Sequence, residues 1–174
     1  MTAQADPIAL PVEANAIVKE IVALGITHVV TVPDSVQRAL LLQLEEEPSL
    51  AVHTVCTEDE AIGITAGLYA GGMRPMMSIQ NNGFFACINT IKAIALDAKV
   101  PTFMLVGQFG RDVTKPVEES RNRAVHRLEP TMDAWSVPHY RLEGPDDIGN
   151  VRAAYDRATN DLGPCALIIG APTR

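Results

Sequence analysis

The chain has 174 residues, of which 47% are hydrophobic and 20% are charged. This length and apolar fraction suit one compact globular domain and exclude an intrinsically disordered chain. With 14 basic and 21 acidic side chains the formal net charge is −7, and no run of Lys or Arg offers the basic surface that nucleic-acid binding requires. Small anionic substrates are not excluded, since a single arginine can hold a carboxylate or sulfonate.

Three cysteines, Cys56, Cys87 and Cys165, are far apart and form no C-x-x-C pair. Their odd number and spacing predict neither a disulfide framework nor a zinc site, and we expect no metal ligand in this chain. The N-terminal segment has no basic start followed by an apolar stretch, and no apolar run approaches the ~20 residues that span a bilayer. We therefore expect a cytoplasmic protein without a membrane partner.

Helical and strand-like segments alternate along most of the chain. Apolar residues at three- and four-residue spacing predict helices at 14–24, 36–47, 57–71, 84–96 and 146–161. Short apolar segments predict strands at 27–32, 51–56, 75–79, 101–106, 140–143 and 165–169, and their continuous hydrophobicity indicates burial on both faces. The order predicts one α/β domain over 1–174: an open, doubly wound, mostly parallel sheet of about six strands with helices on both faces. Residues 1–12 are expected to be a flexible N-terminus.

Ligands of doubly wound sheets bind beyond the carboxyl ends of the strands, so the turns at those ends are the candidate sites. Four polar or glycine-bearing turns follow predicted strands: Pro33-Asp34-Ser35, Thr57-Glu58, Gln80-Asn81-Asn82-Gly83 and Gly107-Gln108-Phe109-Gly110-Arg111. We expect these turns to share one crevice. The last of them opens a charged, aperiodic segment at 107–129, which is long enough to predict a functional or partner-covered loop.

Among the three acidic residues after the second strand, Glu58 has no obvious structural role. Thr57 and Glu60 stand in the T-x-x-E spacing of a capping box, and Asp59 suits the first turn of a helix. Glu58 lies at the end of a strand and is a candidate catalytic acid. From position alone, however, another first-turn acid is the simpler interpretation.

Gly63, Gly67 and Gly71 recur every four residues along the same predicted helix. Each glycine costs a helix about 1 kcal/mol relative to alanine, so three on one face indicate a close approach by another backbone. The spacing leaves two alternatives open, tight packing on the chain's own sheet or a subunit interface.

Glu58, Ala61, Gly63 and Gly67 together resemble the glutamate helix in the pyrimidine-binding domain of thiamine diphosphate enzymes, although Leu68 replaces the usual tyrosine. The chain is most similar to the sulfopyruvate and phosphonopyruvate decarboxylase family, in particular to the alpha subunits of the two-chain members. The supporting segments are VVTVPDS at 29–35, SIQNNGFFACINTI at 78–91, VPTFMLVGQFGRD at 100–112 and GPCALII at 163–169.

The resemblance implies that Glu58 hydrogen-bonds a ring nitrogen of the cofactor's pyrimidine and thereby activates the cofactor for attack on a 2-oxo acid. It implies further cofactor contacts from Pro33, Gln80, Asn82 and Gly83. Substrate contacts are expected from Asp34, Ser35, Asn81 and Arg111, with Arg111 holding an anionic group. Most of these residues also have a structural alternative, since Asp34, Ser35, Asn81 and Asn82 are good helix caps and Arg111 could face solvent or a subunit.

In such enzymes a Gly-Asp-Gly motif with a following asparagine binds the diphosphate and Mg²⁺, and the motif does not occur in this chain. The resemblance therefore implies a hetero-oligomer in which a beta subunit binds the metal and diphosphate, with thiamine diphosphate shared between the chains. The expected activity is decarboxylation of a small anionic 2-oxo acid such as sulfopyruvate. A phosphonopyruvate decarboxylase or a related carboligase remains an alternative, as does a non-catalytic ligand-binding or regulatory subunit on the same fold.

Overall fold

A computed structural model of the chain describes residues 8–174. Six parallel strands form one sheet in the order β2-β1-β3-β4-β6-β5. Their bounds are β1 His28–Thr31, β2 Ala51–Thr54, β3 Pro75–Gln80, β4 Thr102–Gly107, β5 His139–Leu142 and β6 Pro164–Ile169. The predicted open, parallel α/β sheet is thus confirmed.

Helices cover both faces of the sheet. They are α1 Ala14–Ala23, α2 Arg38–Glu46, α3 Glu58–Ala70, α4 Asn81–Ala86, α5 Ile88–Thr90, α6 Arg123–His126, α7 Leu128–Ala134 and α8 Asn150–Asp161, with a π-helical turn at Ile91–Asp97 and 3₁₀ turns at Val117–Glu119 and Pro145–Asp147. No helix of the described residues is both long enough and apolar enough to span a bilayer.

Two separate hydrophobic clusters hold these layers together. On one face, Ile17 of α1 and Val151 of α8 pack with Leu105 of β4. On the other face, Ile62 of α3 and Phe84 of α4 pack with Met77 of β3. Because the central strands contribute to both clusters, they are buried on both faces, as their continuous hydrophobicity predicted.

The edge strand β2 differs from the prediction that every strand is buried on both faces. Ala51 and Thr54 are exposed, and Val52 and His53 are only partly buried. The physical reason is its place in the strand order, since β2 has one neighbour in the sheet and a free edge on the other side. The strand that leads to Glu58 therefore lies at the rim of the sheet.

The helix after β3 begins three residues before its predicted start at 84, since Asn81 directly follows β3. Part of the predicted 107–129 loop is helical, at Val117–Glu119 and Arg123–His126. Within the predicted flexible N-terminus, the amides of Ile8 and Leu10 donate to the carbonyls of Val113 and Glu143, and Val12 is buried. Residues 1–7 lie outside the described part.

Candidate active site

The candidate site lies at the carboxyl edge of the sheet. Strands β1, β3 and β4 are adjacent, so the turns that follow them meet there, and α3 begins beside them after β2. Polar side chains from these three turns and from the start of α3 contact one another through hydrogen bonds and close packing. The four turns thus lie at one edge of the sheet, where the contact of Asn81 with Phe109 joins residues 28 positions apart. That all four turns share one crevice stays a prediction.

Two of the three acidic residues in the first turn of α3, Asp59 and Glu60, make structural hydrogen bonds, and Glu58 makes none to the described part of the chain. The Thr57 hydroxyl accepts a hydrogen bond from the Glu60 amide at 3.3 Å, and Glu60 Oε2 accepts from the Cys56 amide at 3.0 Å. Asp59 accepts from the Thr90 hydroxyl. Glu58 forms no hydrogen bond or ion pair within the described residues, which leaves its carboxylate free to bind a ligand.

Glu58 reaches across the edge of the sheet to the start of α4. A Cβ atom placed on Gly83 would lie 2.0 Å from Glu58 Oε1, so the carboxylate occupies the space that any other residue at position 83 would fill. Glu58 is partly buried there. Gly83 therefore provides the opening that receives Glu58, and its predicted place beside the cofactor is consistent with this contact.

A buried thiol lies close to this carboxylate. Burial raises the pKa of Cys87 to about 12, with smaller contributions from the negative charges of Asp59 and Glu58. Cys87 is fully buried and neutral at physiological pH, and its sulfur lies within hydrogen-bonding reach of the Phe84 carbonyl at 3.6 Å. The Cys87 thiol therefore adds no charge near Glu58.

Asp34, from the turn after β1, is a buried carboxylate with only 2% of its surface exposed. Its Oδ1 accepts hydrogen bonds from the Val36 amide at 3.0 Å and from Gln80 Nε2 at 3.2 Å. Its Oδ2 accepts from Gln37 Nε2 at 3.1 Å. A buried carboxylate with neutral donors on both oxygens is well suited to hold neighbouring side chains in place.

The turn after β1 also packs directly on the end of β4. A Cβ atom on Gly107 would lie 1.9 Å from Asp34 Oδ2 and 3.1 Å from Gln37 Nε2. Gly107 is thus a second opening of the same kind as Gly83, and each of the two openings receives a carboxylate from the turn after a strand two positions away in the sheet. The close approach of the four segments depends on these two glycines.

Gln80 and Asn82 extend the Asp34 network towards solvent. Asn82 Nδ2 donates to Gln80 Oε1 at 2.8 Å, and Asn82 is exposed while Gln80 is partly buried. At the other end, Gln37 Nε2 also donates to the Ile79 carbonyl, and its Oε1 accepts from the Ser78 hydroxyl at 3.2 Å. Hydrogen bonds through the Asp34 carboxylate therefore connect the buried Gln37 amide to Gln80 and the exposed Asn82 amide.

Asn81 is fully buried and links the turn after β3 to the loop after β4. Its Nδ2 donates to the carbonyls of Phe109 at 3.2 Å and Ala124 at 3.1 Å, and its Oδ1 accepts from the Asn82 amide at 2.9 Å. All of its polar atoms are thus engaged within the chain. The structure gives this predicted substrate contact the role of fastening two turns together.

Arg111, the predicted anion contact, is buried with 3% of its side chain exposed. Its Nη1 donates to the carbonyls of Asp112, at 2.7 Å, and Lys115, and its Nη2 approaches Glu143 at 3.3 Å. These contacts fold the loop after β4 around the guanidinium. Pro33 and Ser35 are exposed, and Ser35 lies with Arg111 on the wall of one pocket.

Two residues of the site were not predicted from the sequence. Gln37 orients Asp34 from inside the core, and Gln108 is buried beside Arg111. The signal for Gln108 was its position directly after a strand, in a turn already predicted to line the crevice. Gln37 gave no such signal because it lies two residues beyond its turn, directly before α2.

The residues present fit the pyrimidine half of thiamine diphosphate. Such a group needs a carboxylate that can share a proton with a ring nitrogen, and Glu58 is a carboxylate without a partner in the described chain. The amides of Gln80 and Asn82 lie at the same edge of the sheet and add donors and acceptors without charge. Among the described residues, no cluster of three His, Cys, Asp or Glu side chains could hold a metal ion.

The chain is similar in sequence to proteins of known activity. The alpha subunit of sulfopyruvate decarboxylase from Methanococcus maripaludis is 24% identical over 161 residues, covering 91% of this chain and 94% of the relative. The corresponding subunit from Methanocaldococcus jannaschii is 26% identical over 125 residues, 71% of this chain and 72% of the relative.

Among solved structures, benzoylformate decarboxylase from Polynucleobacter necessarius superimposes with a TM-score of 0.70 at 21% identity, over 90% of this chain and 29% of the longer one. That likeness shows a common fold. Residues 13–136 match the family described as the thiamine pyrophosphate enzyme, N-terminal TPP binding domain. With the fold, the free Glu58 carboxylate and this match over most of its length, the chain belongs to that family of thiamine pyrophosphate-binding domains.

Proposed function

We propose that this chain is the alpha-type subunit of a thiamine diphosphate-dependent decarboxylase that acts on a small anionic 2-oxo acid, most like sulfopyruvate. The observation that supports this most directly is the free Glu58 carboxylate, held over Gly83 at the edge of the sheet. The named relatives are sulfopyruvate decarboxylase alpha subunits, and the similarity extends over nearly the whole of both chains in one case.

The cofactor, when bound, supplies a carbon nucleophile and an electron sink for cleavage of the carbon–carbon bond. The task of Glu58 would be to share a proton with a pyrimidine ring nitrogen through its carboxylate. Its partly buried position limits the water around that proton, and the nearby Cys87 thiol is neutral.

Asp34 and Gln37 would act by positioning. Together they hold Gln80, which in turn orients the exposed Asn82 amide towards the crevice. Amide groups fixed in this way can orient a carboxylate or a reacting carbonyl without adding a charge that would have to be desolvated. Ser35 is close enough to this network to offer a hydroxyl to the substrate from the turn after β1.

A partner subunit would bind the diphosphate and Mg²⁺, making the active enzyme a hetero-oligomer. Two surface features support a partner on this side of the molecule. Cβ atoms on Gly63 and Gly67 would meet no atom within 4 Å, so the glycine face of α3 is not packed against the chain's own sheet. Tyr69 near the end of the same helix and Met73 just beyond it expose 41% and 45% of their surfaces.

The test is the Glu58→Gln variant, with Glu46→Gln as a matched control on the exposed end of α2. Tagged wild-type and variant chains are purified with their partner, and release of CO₂ from sulfopyruvate, phosphonopyruvate and pyruvate is measured with added thiamine diphosphate and Mg²⁺. We expect Glu58→Gln to lower turnover at least about 100-fold, and the control to match wild type.

Wild-type turnover by Glu58→Gln would contradict the catalytic role of Glu58. It would favour a ligand-binding or regulatory subunit on the same fold instead. Absence of turnover of every 2-oxo acid by the wild-type assembly would contradict the proposed activity itself. Faster turnover of phosphonopyruvate than of sulfopyruvate would support the proposed mechanism but identify phosphonopyruvate as the substrate.

A further inference from the structure

A second pocket opens beside the Asp34 network, at the carboxyl ends of β4 and β6. It has a volume of about 330 Å³, and its walls include Ser35 and Val36 from the turn after β1, Gln108 and Arg111 from the turn after β4, and Gly170 after β6. Ser35 on its wall is next in sequence to Asp34, which accepts a hydrogen bond from Gln80.

Unpaired polar atoms are concentrated at this pocket. Five buried side-chain atoms of the described residues have no hydrogen-bond partner, and three of them belong to Gln108 and Arg111: Gln108 Nε2, Gln108 Oε1 and Arg111 Nε. Gln108 is only 1% exposed. Because burying an amide without hydrogen-bond partners is unfavourable, a glutamine in this place calls for a ligand that completes its hydrogen bonds.

The unpaired atoms specify the chemistry of that ligand. Gln108 Nε2 carries two hydrogens and Arg111 Nε carries one, so three donors stand against one acceptor oxygen. The guanidinium is held rigidly by the carbonyls of Asp112 and Lys115, and it shares its charge with Glu143 at 3.3 Å. Recognition here therefore depends on aligned N–H donors more than on net charge, and it suits the oxygens of a carboxylate, sulfonate or phosphonate.

Gly170 has no side chain to fill the space between Gln108 and Glu143. A Cβ atom there would lie 2.9 Å from Glu143 Oε1 and 3.2 Å from Gln108 Oε1. The absence of a side chain at position 170 thus lets the glutamine amide and the Arg111–Glu143 pair come together at one end of the sheet. We propose that this pocket binds an oxyanion, with Gln108 and Arg111 Nε as its hydrogen-bond donors. If the proposed function holds, this oxyanion is the acidic group at the end of the substrate away from its keto carbon.

Binding is tested on the full chain, independently of turnover. The side-chain amide of Gln108 and the Nε–H of Arg111 are followed in ¹⁵N–¹H spectra during titration with sulfate, sulfoacetate or pyruvate. We expect saturable shifts of both groups with sulfate and sulfoacetate. In Gln108→Met the response of Arg111 Nε–H should weaken about 10-fold or more, whereas the matched control Gln43→Met should respond as wild type does. No saturable shift with any of the three anions would overturn the proposal.

A thermal melt separates ligand binding from a purely structural role. Since methionine is close in size to glutamine and leaves no unpaired amide, Gln108→Met should melt at or above the wild-type temperature. A lower melting temperature together with unchanged sulfate binding would overturn the proposal. In the assembled enzyme, a rise of about 10-fold in KM for sulfopyruvate with KM for pyruvate unchanged would identify the oxyanion as the substrate's sulfonate. Unchanged KM values with lost sulfate binding would identify a separate effector.

Discussion

Glu58 Oε1 and Gly83 share one small volume: a Cβ atom on the glycine would lie 2.0 Å from that oxygen. The two residues belong to elements that follow β2 and β3, which are not neighbours in the sheet because β1 lies between them. The carboxylate therefore crosses the end of β1 to reach the start of α4. The position of the candidate catalytic acid depends on a residue whose only contribution is the absence of a side chain.

Gly83→Ala is predicted to displace Glu58 while leaving the fold intact. The new methyl group would force the flexible glutamate side chain aside, and a shift of about 1 Å in a catalytic group can lower turnover about 100-fold. Gly149→Ala is the matched control, since a Cβ there meets no atom within 4 Å. The measurements are 2-oxo acid turnover by the assembled enzyme and the circular dichroism of the chain. Equal turnover in the two variants would show that Glu58 does not need its present position.

Gln37→Leu is predicted to destabilise the domain. The substitution removes the donor to Asp34 Oδ2 and to the Ile79 carbonyl, together with the acceptor of the Ser78 hydroxyl. With these buried groups left unpaired, the free energy of unfolding should fall by about 2–4 kcal/mol. Urea denaturation of the full chain measures it, with Gln43→Leu as the control for the same change on a partly exposed position of α2. A loss equal to that of the control would contradict the role assigned to Gln37.

Gly67→Ala is predicted to stabilise the isolated chain but to weaken its association with the partner subunit. Position 67 lies within α3 and has open space around it, so alanine should raise the free energy of unfolding of the chain by up to about 1 kcal/mol. If the partner's backbone approaches this face, the added methyl group should weaken association. Urea denaturation and sedimentation of the assembled enzyme measure the two effects. Unchanged association would place the partner elsewhere.

The three cysteines are predicted to differ in reactivity because only the thiolate is nucleophilic. Burial is the largest cause that raises the pKa of both Cys87 and Cys165 to about 12, so both remain neutral thiols at pH 8. Cys56 is exposed in the turn before α3. Iodoacetamide at pH 8, followed by peptide mass spectrometry, should modify Cys56 and spare the other two in the folded chain. In urea all three should react, and rapid labelling of Cys87 in the folded chain would contradict its burial.

Much of the fold follows from local patterns in the sequence. The six strands and the helices outside the 107–134 segment were predicted in their correct order because hydrophobic periodicity and turn residues act over a few positions, whereas the short helices α6 and α7 were not predicted. Glu58 could likewise be singled out from neighbouring residues, since Thr57, Asp59 and Glu60 all have roles in the first turn of α3. The exposure of β2 could not be predicted in this way, because a strand's burial depends on its place in the sheet and its composition does not report that place.

Only the tertiary structure decided which of the polar turn residues remain free to bind ligands. Asn81 and Asp34 were predicted as substrate contacts on equal terms with Ser35, yet both are buried, and their polar atoms bond to groups that are distant in the sequence. Gln108 is the reverse case, a buried amide that the fold leaves unpaired. The residue types determined what chemistry the crevice could contain. The strand order β2-β1-β3-β4-β6-β5 determined which side chains meet, because contacts across a sheet join segments whose separation along the chain carries no periodic signal.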